Sequence, residues 1–178
     1  FFGFMWMLIN PVFQMLVIGF IFRFFMKEPI ENYYYYLFIG LLVWNFFSLS
    51  LTKATSSIVW ERSLIKKAKF AYSVIPLSII LSNFIHLLLA LGILLLPMMF
   101  LRTLTIFGLI YVLISLIFLM IFTVGICLLT SALNVRLRYI SFFVQAALIV
   151  WFYVAPVIYT LAMIHYKYYC LWRFSPLT

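Results

Sequence analysis

Trp60-Glu61-Arg62-Ser63-Leu64-Ile65-Lys66-Lys67-Ala68-Lys69-Phe70-Ala71-Tyr72 is a short basic segment set between two long apolar runs. The chain of 178 residues carries twelve Lys and Arg against three Asp and Glu, and four of those cations with one acid fall inside this segment. A charged side chain in the middle of a bilayer is costly. Charge gathered in a chain that otherwise avoids it must therefore lie in water. This segment is the largest place where the chain can meet a soluble partner.

Everything around it reads as membrane. The chain is 69% hydrophobic and 8% charged, with a mean hydropathy of +1.25. Soluble domains carry about 25% charged residues, so this chain cannot cover a water-facing surface. One helical span needs roughly 20 apolar residues, and the length allows five or six. The apolar runs are long and repeated, unlike the single short core of a signal peptide. Cys127 sits inside an apolar run and Cys170 in an aromatic segment far away, which gives no disulfide framework. The net charge of +9 fits cations that hold cytoplasmic loops in place better than it fits nucleic-acid binding. The sequence opens at Phe1 within an apolar run and stops at Thr178, so a fragment of a longer protein is expected.

The expected fold is an all-α integral membrane bundle in one transmembrane domain over 1–178. Five transmembrane helices are expected, at about 4–26, 37–57, 76–100, 104–132 and 140–163. Asn10-Pro11 lies near the start of the first, where a proline opens or kinks a helix, and Arg23 can snorkel at its far end. Lys27-Glu28-Pro29-Ile30-Glu31-Asn32 is a compact turn holding two of the three acids. Tyr33 to Tyr36 mark a membrane boundary. The second span ends rich in hydroxyls (Ser48, Ser50, Thr52, Thr55, Ser56, Ser57) and contains Lys53. Pro76 opens the third in its favoured first-turn place. Leu101-Arg102-Thr103 and Asn134-Val135-Arg136-Leu137-Arg138 are the next two turns, and Pro156 falls late in the fifth span. The tail from 164 to 178 is aromatic and mixed in polarity, as an interfacial or re-entrant segment would be.

Cations near the span ends orient the bundle. Arg62, Lys66, Lys67 and Lys69, with Lys53 nearby, and Arg136 with Arg138 lie on one side. Lys27, Arg102, Lys167 and Arg173 lie on the other, the first beside two acids. The bias places the 60–72 and 134–138 turns in the cytoplasm and the aromatic tail outside.

The chemistry is sparse. A Gly-rich phosphate cradle followed by Lys-Ser/Thr is missing, Asp does not occur, and the three Glu are all in turns. That argues against an ion-coupled transporter, which places ionisable groups inside the membrane. His86, within the third span, is either a proton relay or a neutral hydrogen-bonded group, and the lack of an acidic partner favours the second. Two His and two Cys show no metal-ligand spacing. Aromatics are 21% of the chain. Tyr33 to Tyr36 and the tail read as an interface belt. The deeper Trp44, Phe46, Phe47, Trp151, Phe152 and Tyr153 either pack against lipid or line a path.

From Ser57 to Ser78 the residue order becomes familiar. Leu64-Ile65-Lys66-Lys67, then Phe70, then Pro76-Leu77-Ser78 resembles the cytoplasmic turn of type-2 ATP-binding-cassette (ABC) exporter permeases. The branch is the one that moves O-antigen, teichoic acid and capsular polysaccharide. Gly3-Phe4-Met5-Trp6 with Asn10-Pro11 is similar to that family's opening of the first span, and Gly40-Leu41 with Trp44-Asn45-Phe46-Phe47-Ser48 to its second. Ser131-Ala132-Leu133-Asn134-Val135 with Arg138 is similar to its second cytoplasmic turn. Pro156-Val157-Ile158-Tyr159 and Ser175-Pro176-Leu177-Thr178 are similar to its external end. The chain departs from the family at Glu61 (often Asn), Ala71-Tyr72 (often Pro-Arg), Tyr139 (often Asp) and Ser175 (often Asn).

The resemblance implies a membrane subunit that exports a lipid-linked polysaccharide across the bacterial cytoplasmic membrane. It also implies a cytoplasmic amphipathic helix before Phe1 and a sixth span after Thr178. ATP and Mg would be bound by a separate ATPase subunit, with no cofactor, metal or catalytic site on this chain. The basic segment would be a coupling helix docking on that subunit through Glu61, Arg62, Ser63, Lys66, Lys67, Lys69 and Phe70; the competing reading is a topology signal alone. Partners would be the ATPase, a second copy of the chain, the glycan and membrane lipids, with no nucleic acid. Trp6, Phe13, Trp44, Phe47, Trp151 and Tyr153 would line the translocation path. Tyr166, Tyr169 and Trp172 would belong to an external gate. A drug or lipid exporter, or an assembly protein without a path, are the alternatives.

Overall fold

The structure, a computed structural model, describes residues 9, 10, 12–20, 33–61, 71–100, 106–155 and 157. All of their regular structure is helical. In chain order these are α1 (12–20), α2 (Tyr33–Trp60), α3 (Val74–Phe100), α4 (Ile106–Arg136) and α5 (Ile140–Val154). Among the described residues three helices are long and apolar enough to cross a membrane, at Tyr35–Trp60, Val74–Leu95 and Phe107–Arg136.

The helices do not stop where hydropathy stops. α2 begins among the boundary tyrosines and continues through the hydroxyl-rich stretch to Trp60. The reason is local: Thr55, Ser56 and Ser57 turn their hydroxyls back onto the carbonyls of Leu51 (2.7 Å), Thr52 (3.3 Å) and Ala54 (2.7 Å). A hydroxyl bonded to its own helix leaves no unpaired donor in lipid. α3 starts two residues before the expected Pro76. Val74 N–H donates to Ala71 O at 3.1 Å, and Pro76, which has no N–H to place, is buried in the first turn. α4 runs four residues past the expected 132, to Arg136. α5 leaves helical geometry at Ala155, where the following proline disfavours the α conformation. The expected span 140–163 is thus helical over Ile140–Val154, and its remainder from 158 lies outside the described residues.

The chain divides into two compact units, one from Phe1–Asn45 with Val150–Thr178 and the other Phe46–Ile149. In the second unit α3 and α4 pack against each other, and both reach α2. Phe46 meets Phe84 edge-on with centroids 5.7 Å apart, and Phe47 stacks on Phe122 at 5.9 Å. Asn83 donates from Nδ2 to Ser50 Oγ at 3.1 Å, with both residues buried. The hydroxyls of Thr55 and Thr130 lie 2.9 Å apart, one donating to the other.

Direction follows from these pairs. Thr55 and Thr130 are 75 positions apart, the same interval as Phe47 and Phe122. A constant difference means that α2 and α4 run parallel. Against α3 it is the sum that stays nearly constant, in Phe46 with Phe84 and Ser50 with Asn83, so α3 runs antiparallel to both. Trp60 and Arg136 therefore end their helices at one level. The α4–α5 turn is closed by Asn134, buried, whose Oδ1 accepts the Ser141 N–H at 3.2 Å. That bond satisfies one of the four amides that a helix start leaves open.

Two outcomes are expected in detergent unfolding. Thr55→Val and Thr130→Val should couple in a double-mutant cycle by about 0.6 kcal/mol, the average for hydrogen bonds between spans; a coupling of zero would dismiss the contact. Asn134→Ala should cost about 1 kcal/mol, as loss of a helix cap does, and Asn134→Asp should recover part of it.

Candidate functional site

The residues that the sequence singles out distribute unevenly over the structure. Of the coupling residues, Glu61 is described: it is exposed in a turn that closes α2, its N–H donating to Ser57 O at 2.9 Å. Arg62, Ser63, Lys66, Lys67, Lys69 and Phe70 lie outside the described residues, as do Trp6 and the gate residues Tyr166, Tyr169 and Trp172. The five remaining residues expected to line a path separate into three kinds. Phe13 on α1 and Tyr153 on α5 are exposed, at 63% and 66%, while Trp44 is 8% exposed and Phe47 fully buried. Trp151 is half-buried.

In the first unit, Trp44 packs on Phe152 with centroids 5.4 Å apart, and Phe152 meets Tyr153 edge-on at 5.5 Å. Asn45 donates from Nδ2 to Gln14 Oε1 at 3.1 Å and to Leu41 O at 2.9 Å. This carboxamide pair fixes α1 on α2. α1 turns Val12, Phe13, Leu16, Val17 and Phe20 outward while Gly19 is buried. Residue 157 returns against α2 at Gly40. A Cβ there would stand 3.2 Å from Val157 O and 3.5 Å from its Cγ1, so the backbone approach uses the missing side chain.

The second unit supplies a polar seam. Ser50, Thr55, Ser57, Asn83, Thr123, Ser131 and Asn134 are all buried. His86, on α3, has Nδ1 2.5 Å from Ser82 O. A carbonyl only accepts, so Nδ1 carries the hydrogen and the ring takes part in a hydrogen bond within its own helix. Among the described residues no three of His, Cys, Asp and Glu come together as a metal site.

The residues that composition alone overlooked are the carboxamides. Gln14, Asn45, Asn83 and Asn134 each stand in or beside an apolar run, and each has a partner here. Their presence at membrane depth was the available signal, because a polar group there needs an internal partner. The arrangement can hold apolar helices in fixed register and present aromatic faces.

The whole chain, residues 1–178, matches the family model described as ABC-2 type transporter. It is 33% identical to an O-antigen export system permease protein RfbA of Myxococcus xanthus over 165 residues, covering 92% of this chain and 63% of that protein. It is 32% identical to an RfbA permease of Klebsiella pneumoniae, covering 99% of this chain and 68% of the relative. A second Klebsiella pneumoniae RfbA permease is 30% identical over 98% of this chain and 68% of its own length. The chain thus spans about two-thirds of the length of these curated relatives.

Gly40→Val should destabilise the protein by about 1–3 kcal/mol, the usual cost of overpacking, with Gly40→Ala milder because one methyl asks only a small shift of the Val157 carbonyl. Equal melting temperatures for wild type and Gly40→Val in detergent would rule out the close approach.

Proposed function

The chain belongs to the ABC-2 type transporter family, and from that premise we propose that it is the membrane subunit of a bacterial polysaccharide exporter, a multi-pass protein of the inner membrane. The observation that carries this reading is similarity over 92–99% of the chain to permeases named for O-antigen export. The cargo is a lipid-linked glycan. ATP hydrolysis, with its Mg, belongs to a separate subunit, in keeping with a sequence that has no phosphate cradle.

The basic segment 60–72 is the coupling element on that ATPase. What supports this is its charge, with Arg62, Lys66, Lys67 and Lys69 available for acidic partners, and its place directly after α2. The turn at 137–139 follows α4, which runs parallel to α2, so both turns leave the bundle at one level. Two copies of the chain enclose the path. The exposed aromatics Phe13 and Tyr153 face it or the lipid beside it. Trp44 acts one layer behind, packed on Phe152 beside Tyr153, while Phe47 is buried against Phe122 and holds α2 to α4. Sugars stack on aromatic faces with little regard to sequence, and many weak contacts release a long chain as readily as they bind it. Tyr166, Tyr169 and Trp172 form the external gate.

Reversing Lys66 and Lys67 to Glu should abolish association with the ATPase subunit and surface polysaccharide in cells, with membrane insertion unchanged. Crosslinking from a Ser63→Cys variant in solubilised membranes reads the contact directly. Capture of a nucleotide-binding subunit is expected, and normal complex formation by the double reversal would sink the coupling assignment.

A further inference from the structure

The second unit carries its own ruler for membrane depth. α2 ends at Trp60, α3 begins at Val74 and α4 ends at Arg136, and the helix pairs bring these three ends to one level. The 75-residue offset of Thr55 and Thr130 sets Lys53 beside Leu128. The pairs Phe46 with Phe84 and Ser50 with Asn83 set it beside Leu77 to Ile80. Lys53 therefore stands about 10 Å inside the helix ends, seven residues before Trp60, where the headgroup layer gives way to the hydrocarbon.

Lys53 is exposed, and among the described residues no side chain pairs with its ammonium. Trp60 is 81% exposed and lies two turns further along the same helical face. Between them Ser56 is small and turns its hydroxyl onto the Thr52 carbonyl, which leaves the strip open. The nearest described acid, Glu61, is a further residue beyond Trp60 and in the following turn. A cation at the hydrocarbon edge and an indole at headgroup height, on one open face, suit an anionic group attached to acyl chains. Lysine extends toward such a group while its stem stays in apolar surroundings, and Trp prefers this depth.

We propose that Lys53 and Trp60 form a docking strip for the phosphate of an anionic phospholipid in the leaflet where α2 ends. The ammonium holds the phosphate and the indole N–H reaches the headgroup. The strip acts on a resident membrane lipid, so the inference stands apart from the export reading.

The test uses the full-length permease, purified and exchanged into nanodiscs of phosphatidylcholine with one-fifth phosphatidylglycerol. Native mass spectrometry then counts the lipids retained on release. Lys53→Gln should weaken phosphatidylglycerol retention about fivefold, in line with the contribution of one surface cation near anionic lipid. Lys53→Arg should restore it, Trp60→Leu should weaken it less, and phosphatidylcholine retention should not change. Circular dichroism and gel filtration of each variant confirm the same folded species. Undiminished phosphatidylglycerol on Lys53→Gln, or equal loss of both lipids, would overturn the strip. So would unchanged retention accompanied by weakened ATPase binding, which would give Lys53 to the protein partner instead.

Discussion

In hydrocarbon a polar group has no water to return to, and the arrangement of the helices described here depends on that constraint. α2 carries hydroxyls along its second half that would be a liability in lipid. They are spent in two ways. Thr55, Ser56 and Ser57 bond to their own backbone, and Ser50 and Thr55 also reach Asn83 on α3 and Thr130 on α4. Apolar packing between spans gains little, since lipid tails are as apolar as leucine. The polar pairs and the ring contacts of Phe46 and Phe47 therefore decide which faces meet. Slide α2 by one residue against α4 and Thr55 loses Thr130 while Phe47 loses Phe122. The register is specified by the few groups that cannot be left alone.

The same constraint explains what could be read in the sequence. Membrane insertion and all-helical architecture follow from an 8% charged chain, because lipid permits helices or closed barrels and the apolar runs here are helix-length. Helix ends were less legible. Hydropathy falls before Trp60 and at Ser131, yet both helices continue, since Ser and Thr can satisfy themselves on the backbone and remain helical outside the hydrocarbon. Pro156 did announce a break, and the helix stops just ahead of it. The carboxamides were visible as residues but their partners were not: Gln14 with Asn45 and Ser50 with Asn83 are separated by 31 and 33 positions. Pairing at such distance depends on how the helices pack, which nearly uniform apolar faces do not encode. For the site, the basic segment stood out by charge. The division of the aromatics did not, because Phe13 and Phe47 look alike in sequence and differ only in what surrounds them.

That division gives the aromatic content two jobs. Buried rings such as Phe47 and Trp44 are structural, placed on facing pairs at 5.4 to 5.9 Å. Exposed rings such as Phe13, Phe142, Phe143 and Tyr153 cover the outer surface of the chain. Under the export reading a glycan would meet only the second set, and only where a second copy shields it from lipid. Specificity for sugars would then rest on a few outward positions, while substitutions at the buried ones would act through stability. The two classes predict different phenotypes at chemically similar residues.

Under the coupling reading a push on the segment after Trp60 must move something, and the side-chain bonds decide which helices would move together. α2 leads into the basic segment and is tied to α4 at Thr55 and Thr130. α4 in turn holds the start of α5 through Asn134 and the Ser141 amide. A load applied after Trp60 thus meets neighbours that are held by bonds costly to break in lipid, and displacement of the three helices as one body costs less than shear between them. The turn at 137–139 would travel with the segment, since α2 and α4 are parallel and end at one level. Charge reversal at Arg136 or Arg138 would then weaken coupling without touching the 60–72 segment itself, because both turns would ride on one rigid group.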